Sequence, residues 1–130
     1  MTADARSHWM LAQRFVRTAS VDLEAGDPDS AASRAYYTAY HAVSAIFALE
    51  GVLFRKHEAI EAALHRDLVK TGRLPVSVGK EYTELRQLRV RGDYGSGLPV
   101  DEAAARDAIV SAQRILEAVS VICPHLSKHE

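Results

Sequence analysis

Apolar residues recur along this chain at three- and four-residue spacing, as in Leu11, Phe15, Ala19 and Leu23, and again in Ala32, Tyr36, Ala39, Val43 and Ile46. The same spacing runs through Ile60, Leu64 and Leu68, through Val78, Tyr82, Leu85 and Leu88, and through Ala105, Ala108, Ala112, Ile115, Val119 and Ile122. That period belongs to helices with one apolar face, and no segment alternates with the period of a strand. Between these runs stand Gly26-Asp27-Pro28, Gly51, Gly72 with Pro75, the segment Gly92 to Pro99, and Pro124, each read as a helix stop. The pattern predicts helices over 4–25, 29–50, 57–71, 76–91 and 101–123. Asp27, Pro28 and Asp29 suit the start of the second, because a carboxylate accepts from free amides and proline fits the first turn. Asp101 and Glu102 do the same for the last. Long helices with short connections predict an all-α fold, an up-and-down bundle of four to five helices, with residues 1–130 as one domain.

The second helix differs from its neighbours. Ala31, Ala32, Ala35, Ala39, Ala42, Ala45 and Ala48 mix with Tyr36, Tyr37, Tyr40, Val43, Ile46 and Phe47 on nearly every side. Such a helix is buried on more than one face, either at the centre of the bundle or against a second subunit, and the expectation is a homodimer.

Composition adds limits. With 48% apolar and 25% charged residues the chain is of ordinary globular type. Sixteen Lys and Arg against seventeen Asp and Glu give a net charge of −1, so any nucleic-acid contact must be a local patch. One such stretch exists: from Arg66 to Arg91 seven basic residues face three acidic ones. Cys123, the sole cysteine, excludes an internal disulfide and a cysteine-built zinc site, and is read as a small hydrophobe near a helix end. Met1 to Met10 carries Asp4, Arg6 and His8 without an apolar core, and no run approaches the ~18 apolar residues of a membrane span. The expectation is a cytoplasmic protein with no membrane partner.

Two groups of residues could carry chemistry. The first is Arg89-Val90-Arg91-Gly92-Asp93-Tyr94-Gly95-Ser96-Gly97, where a helix end would deliver two guanidinium groups into a glycine-rich loop holding a carboxylate and a phenol. Arg matches phosphate oxygens with a planar fork of donors, and glycines admit a ligand to the backbone. The bland alternative has Arg89 paired with Asp93 or a neighbouring helix, Gly92 capping the helix and Tyr94 plugging the bundle end. The glycines match neither the Walker nor the dinucleotide pattern. The second group is Arg34, Tyr37, Tyr40 and His41, which share helical spacing and are read either as ordinary core hydrogen bonding or as part of an RNA or nucleotide pocket. The other histidines, including His57 and His65, lack the spacing of a zinc or di-iron site, so neither a metal nor a cofactor is expected.

At these residues the chain resembles the HEPN superfamily, in particular its short stand-alone members. The resemblance rests on Ser33-Arg34-Ala35-Tyr36-Tyr37-Thr38-Ala39-Tyr40-His41-Ala42, Lys56-His57 after Gly51, Lys70-Thr71-Gly72, and Leu88-Arg89 running to Asp93-Tyr94. It implies a helical bundle, usually dimeric, often encoded with a minimal nucleotidyltransferase in a toxin-antitoxin pair. It also implies a metal-independent endoribonuclease motif of Arg, a polar residue and a His, with four to six residues between the Arg and the His. Here Val90 follows Arg89, and Tyr94 stands where the shortest spacing would put the His. Arg34 and His41 fit the loosest spacing but lie within a helix.

The reading therefore favours a protein that binds RNA, a nucleotide or a nucleotidyltransferase through Arg89, Asp93 and Tyr94, with Arg34, Tyr37, His41 and Arg91 as further binding candidates. The alternatives are a metal-independent endoribonuclease acting through Arg89 and Tyr94, and a structural helical adaptor. Tyr94 is also the expected acceptor of AMP from such a partner.

Overall fold

The backbone of residues 3–94 and 99–127 is described by a computed structural model, with the side chains of Asp93, Tyr94 and Ser127 outside that description. Five α-helices follow in order: α1 (Ala3–Glu24), α2 (Pro28–Leu49), α3 (His57–Ala63), α4 (Val76–Tyr94) and α5 (Glu102–Ile122). α3 runs on as a π-helical turn over Leu64–Val69, and a short 3₁₀ turn, Pro124–Ser127, follows α5. All five predicted helices exist, and among the described residues there is no strand.

The caps are those the sequence supplies. The Asp27 side chain accepts from the Ser30 amide at 3.2 Å, with Pro28 in the first turn, and Asp101 accepts from the Ala104 amide at 2.7 Å. Each such cap contributes about 1 kcal/mol. After α1, Gly26 takes φ of 83°, a left-handed conformation that lets the chain reverse into α2.

α2 occupies the centre. It packs along α1, α4 and α5, and thirteen of its residues are buried. Its alanines let the neighbouring backbones approach closely, while Tyr36, Val43, Ile46 and Phe47 fill the space between helices. Tyr36 and Tyr82, together with Leu64, Leu68, Leu74 and Ile115, form the bulk of the main core. A smaller cluster of Ala19, Ala31, Ala32, Val100, Ala105 and Ile109 closes the end where α2 and α5 begin. The second apolar face of α2, the ground for expecting a homodimer, is thus covered by helices of the same chain.

Two local predictions need correction. The helix expected to stop at 91 continues to Tyr94, with Gly92 inside it. Gly92 is a packing glycine: a Cβ there would lie 3.2 Å from Asp29 Oδ1 and 3.3 Å from Val100 Cγ2. The same Asp29 oxygen accepts from the Val100 amide at 3.1 Å, so the missing side chain lets the ends of α4, α2 and α5 meet. The helix predicted over 57–71 widens into a π turn, where the Lys70 amide bonds the His65 carbonyl at 2.9 Å. Gly79 of α4 accommodates this turn, since a Cβ there would lie 3.0 Å from His65 Nδ1 and 3.1 Å from Val69 Cγ2.

Candidate nucleic-acid site at a three-helix junction

The site begins with three tyrosines. Tyr36, Tyr37 and Tyr40 project from successive turns of α2, and their spacing gathers the rings on one side of the helix. Tyr36 and Tyr37 meet edge to face at 5.2 Å, and Tyr36 meets the buried Tyr82 of α4 at 5.8 Å. Burial pushes the Tyr36, Tyr40 and Tyr82 phenols upward, so all three are neutral at physiological pH.

Arg89 enters from α4. Its Cζ lies 5.5 Å from the Tyr36 ring centroid and 5.2 Å from that of Tyr37, and its Nη2 donates to the Tyr37 hydroxyl at 3.0 Å. Ring faces attract a guanidinium through their negative quadrupole and help to orient it.

His57 enters from the first turn of α3. Its ring is 4.2 Å from Tyr40 and 6.0 Å from Tyr37 between centroids, and its Nδ1 is 3.4 Å from the Tyr36 hydroxyl. Burial, then the positive charge of Arg89, lower its pKa, with Glu58 opposing. Arg89 and His57 thus flank the same tyrosines from two helices.

A clamp sets this arrangement. Glu61, one turn after His57, is largely buried and accepts from Thr83 Oγ1 at 2.8 Å and Arg86 Nε at 2.6 Å. His65 Nε2 lies 3.1 Å from the same threonine hydroxyl. Since Arg86 precedes Arg89 by one turn, the clamp ties the helix bearing His57 to the helix bearing Arg89.

The other predicted residues fall elsewhere. Arg34 and His41 share a face, as expected, but it is the face against α1: both pack on Phe15, at 5.7 and 5.5 Å, and Arg34 approaches Asp22 at 3.7 Å. His41 Nδ1 meets His8 Nδ1 at 3.0 Å, which requires one proton between two neutral rings. Burial foremost, and then the charges of His8, His57 and Arg14, bring His41 down to about 4. Tyr37 therefore belongs with Arg89, while Arg34 and His41 face α1, with the His41 ring 5.0 Å from that of Tyr40.

Arg91 follows Arg89 by two residues on a continuous helix, which turns it roughly 200° away. The two side chains leave opposite faces of a helix, where a loop was predicted to follow. Asp93 and Tyr94 complete the last helical turn; their side chains, like residues 95–98 of the expected glycine-rich loop, lie outside the described residues.

The basic stretch from Arg66 to Arg91 is also less uniform in space than in sequence. Arg73 and Arg86 pair with Glu50 and Glu61, both from outside it, and Glu81 draws in Arg114. Among the described residues no group of three or more His, Cys, Asp and Glu could hold a metal ion, and no helix is long and apolar enough to cross a membrane. Cys123 sits half-buried at the end of α5, its thiol pushed up by burial.

Tyr40 belonged to the second group expected from sequence, whereas Tyr36 and His57 were not among the candidate site residues. The available signal was the i,i+4 pair His57 and Glu61 at a helix start, which marks one face carrying both an imidazole and a carboxylate.

Comparison with known proteins agrees with this architecture. A UPF0332 protein of Thermotoga maritima is 34% identical over 99 residues, covering 76% of this chain and 75% of its own. A second UPF0332 protein, from Gloeobacter violaceus, is 23% identical over 95 residues, covering 73% and 75%. The sequence model of the HEPN domain matches residues 5–122, from the first turn of α1 to the last residue of α5, and the chain belongs to the HEPN family.

Proposed function

We propose that this HEPN protein binds RNA, or a nucleotide through the same phosphate chemistry, at the junction of α2, α3 and α4. The observation that carries the reading is Arg89, set over Tyr36 and Tyr37 with His57 beside the same rings. A guanidinium presents a planar fork of donors that matches phosphate oxygens, and half-buried Tyr37, Tyr40 and His57 offer ring faces to unstacked bases. The binding residues are Arg89, Tyr37, Tyr40 and His57; Arg34, His41 and Arg91 are not needed. In this reading a minimal nucleotidyltransferase partner, a toxin-antitoxin pairing and a homodimer bringing two such junctions together are carried by family resemblance.

The test is fluorescence anisotropy with a labelled single-stranded RNA of about ten nucleotides at fixed low salt. Arg89→Ala, with unchanged helicity, weakens binding about tenfold or more, the loss of one phosphate contact worth roughly 1–3 kcal/mol. Equal binding by both proteins rejects the site.

A further inference from the structure

We propose that the groove between α4 and α5 takes the outer face of α1 from a second copy of this chain, so that copies join head to tail. This contact is distinct from a two-fold pairing of two Arg89 junctions, and it does not depend on what binds there.

The groove has an apolar floor and an acidic rim. Two adjoining hollows of about 410 and 250 Å³ share Glu81 and run along the seam of the two helices. Val78, Leu85, Leu88 and Val110 line them, and Val110 keeps more than a third of its surface in solvent. The rim carries Glu81, Glu84, Asp107 and Glu117. Among the described lining residues the one cation is Arg114, which is already drawn to Glu81 at 3.0 Å. A groove of this character is complementary to an apolar stripe flanked by arginine or lysine.

The outer face of α1 has that chemistry. Met10, Arg14, Arg17 and Val21 recur at four, three and four residues, which sets them in one narrow stripe, and all four are exposed. Met10 and Val21 leave 61% and 63% of their surfaces in solvent, which is unusual for large apolar side chains on a helix that buries its other face. The stripe lies opposite the buried Ala5, Ala12 and Ala19; Arg6 extends it by one turn and Glu24 ends it. The lengths agree as well. From Met10 to Val21 a helix rises about 16 Å, and from Val78 to Leu88 about 15 Å, with the arginines between the apolar ends of one and Glu81 and Glu84 between those of the other.

Symmetry selects the mode of contact. A two-fold pair sets a patch on its own copy, which would bring Arg14 and Arg17 against the same arginines, or Glu84, Asp107 and Glu117 against the same carboxylates. Both are repulsive, whereas stripe into groove is attractive. Such a contact leaves a stripe at one end of the assembly and a groove at the other, so growth continues past the first pair. On α4 the groove residues Glu81, Glu84 and Leu88 fall on the side away from Thr83 and Arg86, so the groove does not overlap the Glu61 clamp.

The experiment is sedimentation velocity of the whole chain over a roughly hundredfold range of concentration, at low and at high salt. The wild type is expected to grow in size with concentration at low salt and to stop growing at high salt. Two neutralised proteins, Arg14→Gln with Arg17→Gln and Glu84→Gln with Asp107→Asn, change only exposed side chains, and circular dichroism checks that helicity is kept. Each alone is expected to associate about tenfold more weakly or less. An equimolar mixture of the two regains association, because one keeps its groove and the other its stripe. A wild type of constant size leaves the groove to a different protein and overturns the proposal. Growth that neither variant weakens, or a mixture that stays apart, overturns it too. So does an Arg14→Gln, Arg17→Gln protein that loses affinity for single-stranded RNA with its size series unchanged, since the stripe then serves nucleic acid.

Discussion

Acidification should loosen the contact between α1 and α2, because His41 is held neutral there. Its pKa of about 4 lies below the 6.5 of the unfolded chain, so between those values the unfolded state binds more protons, and stability falls as pH falls. At 1.36 kcal/mol per unit, moving from pH 7 to pH 5 removes about 2 kcal/mol, reduced to about 1 kcal/mol because the half-exposed ring is partly screened by water. The structural origin is foremost the burial of the ring, and after it the contact of two Nδ1 atoms at 3.0 Å between His8 and His41, which cannot survive when both rings are charged. His8 and His57 are lowered too and push the same way, so the contribution of His41 is read as a difference from His41→Phe, which keeps an aromatic ring on Phe15. Urea unfolding at pH 7, 6 and 5 measures it. The wild-type midpoint drops over that range by roughly 0.5–1 M more than the variant's. Equal drops in the two proteins refute the reasoning.

Two further outcomes probe the junction between α3 and α4. Gly79→Ala, which in an ordinary helix would stabilise by about 0.5–1 kcal/mol, here destabilises by about 1–2 kcal/mol, because the new methyl meets His65 and Val69 at 3.0–3.1 Å; thermal unfolding checks the sign. Glu61→Ala strips Thr83 and Arg86 of their common acceptor and destabilises by about 2 kcal/mol, between the values of exposed and buried pairs, whereas Glu61→Gln, retaining an acceptor oxygen, costs about half as much in urea titration.

The helices and their caps were legible because they are local: periodicity, Asp27, Pro28 and Asp101 act within a few residues of themselves. What covers a face is not local. The alanines and tyrosines of α2 announced burial on several sides, but only the fold shows α1, α4 and α5 doing the covering. Gly92 looked like a stop because glycine usually ends helices, whereas here the absence of a side chain admits Asp29 and Val100 from elements distant in sequence. The π turn after α3 depends on Gly79, ten residues beyond its last residue, Val69, in another helix. The site followed the same division. Arg89 and Tyr37 were identified as candidates from their surroundings in sequence, and the hydrogen bond joining them spans 52 positions. Arg34 and His41 satisfied a spacing rule, and in the fold they meet Phe15 and His8 on the face toward α1. His57 was weighed only as a metal ligand and as part of the resemblance, because it comes to the Arg89 tyrosines from a separate helix, whose placement depends on Glu61 gripping α4.

The central claim is that RNA comes to rest on Arg89 and the rings of Tyr37, Tyr40 and His57, and ring-selective NMR tests it most directly. With His and Tyr rings isotopically labelled, a short non-cleavable RNA carrying 2′-O-methyl groups is titrated into the protein. The account predicts that the His57, Tyr37 and Tyr40 ring signals move together along one binding curve, that His65 on the far side of the clamp stays still, and that Arg89→Ala abolishes the movement. Unmoved His57 and Tyr37 signals at saturating RNA, or shifts centred on His8 and His41, contradict it.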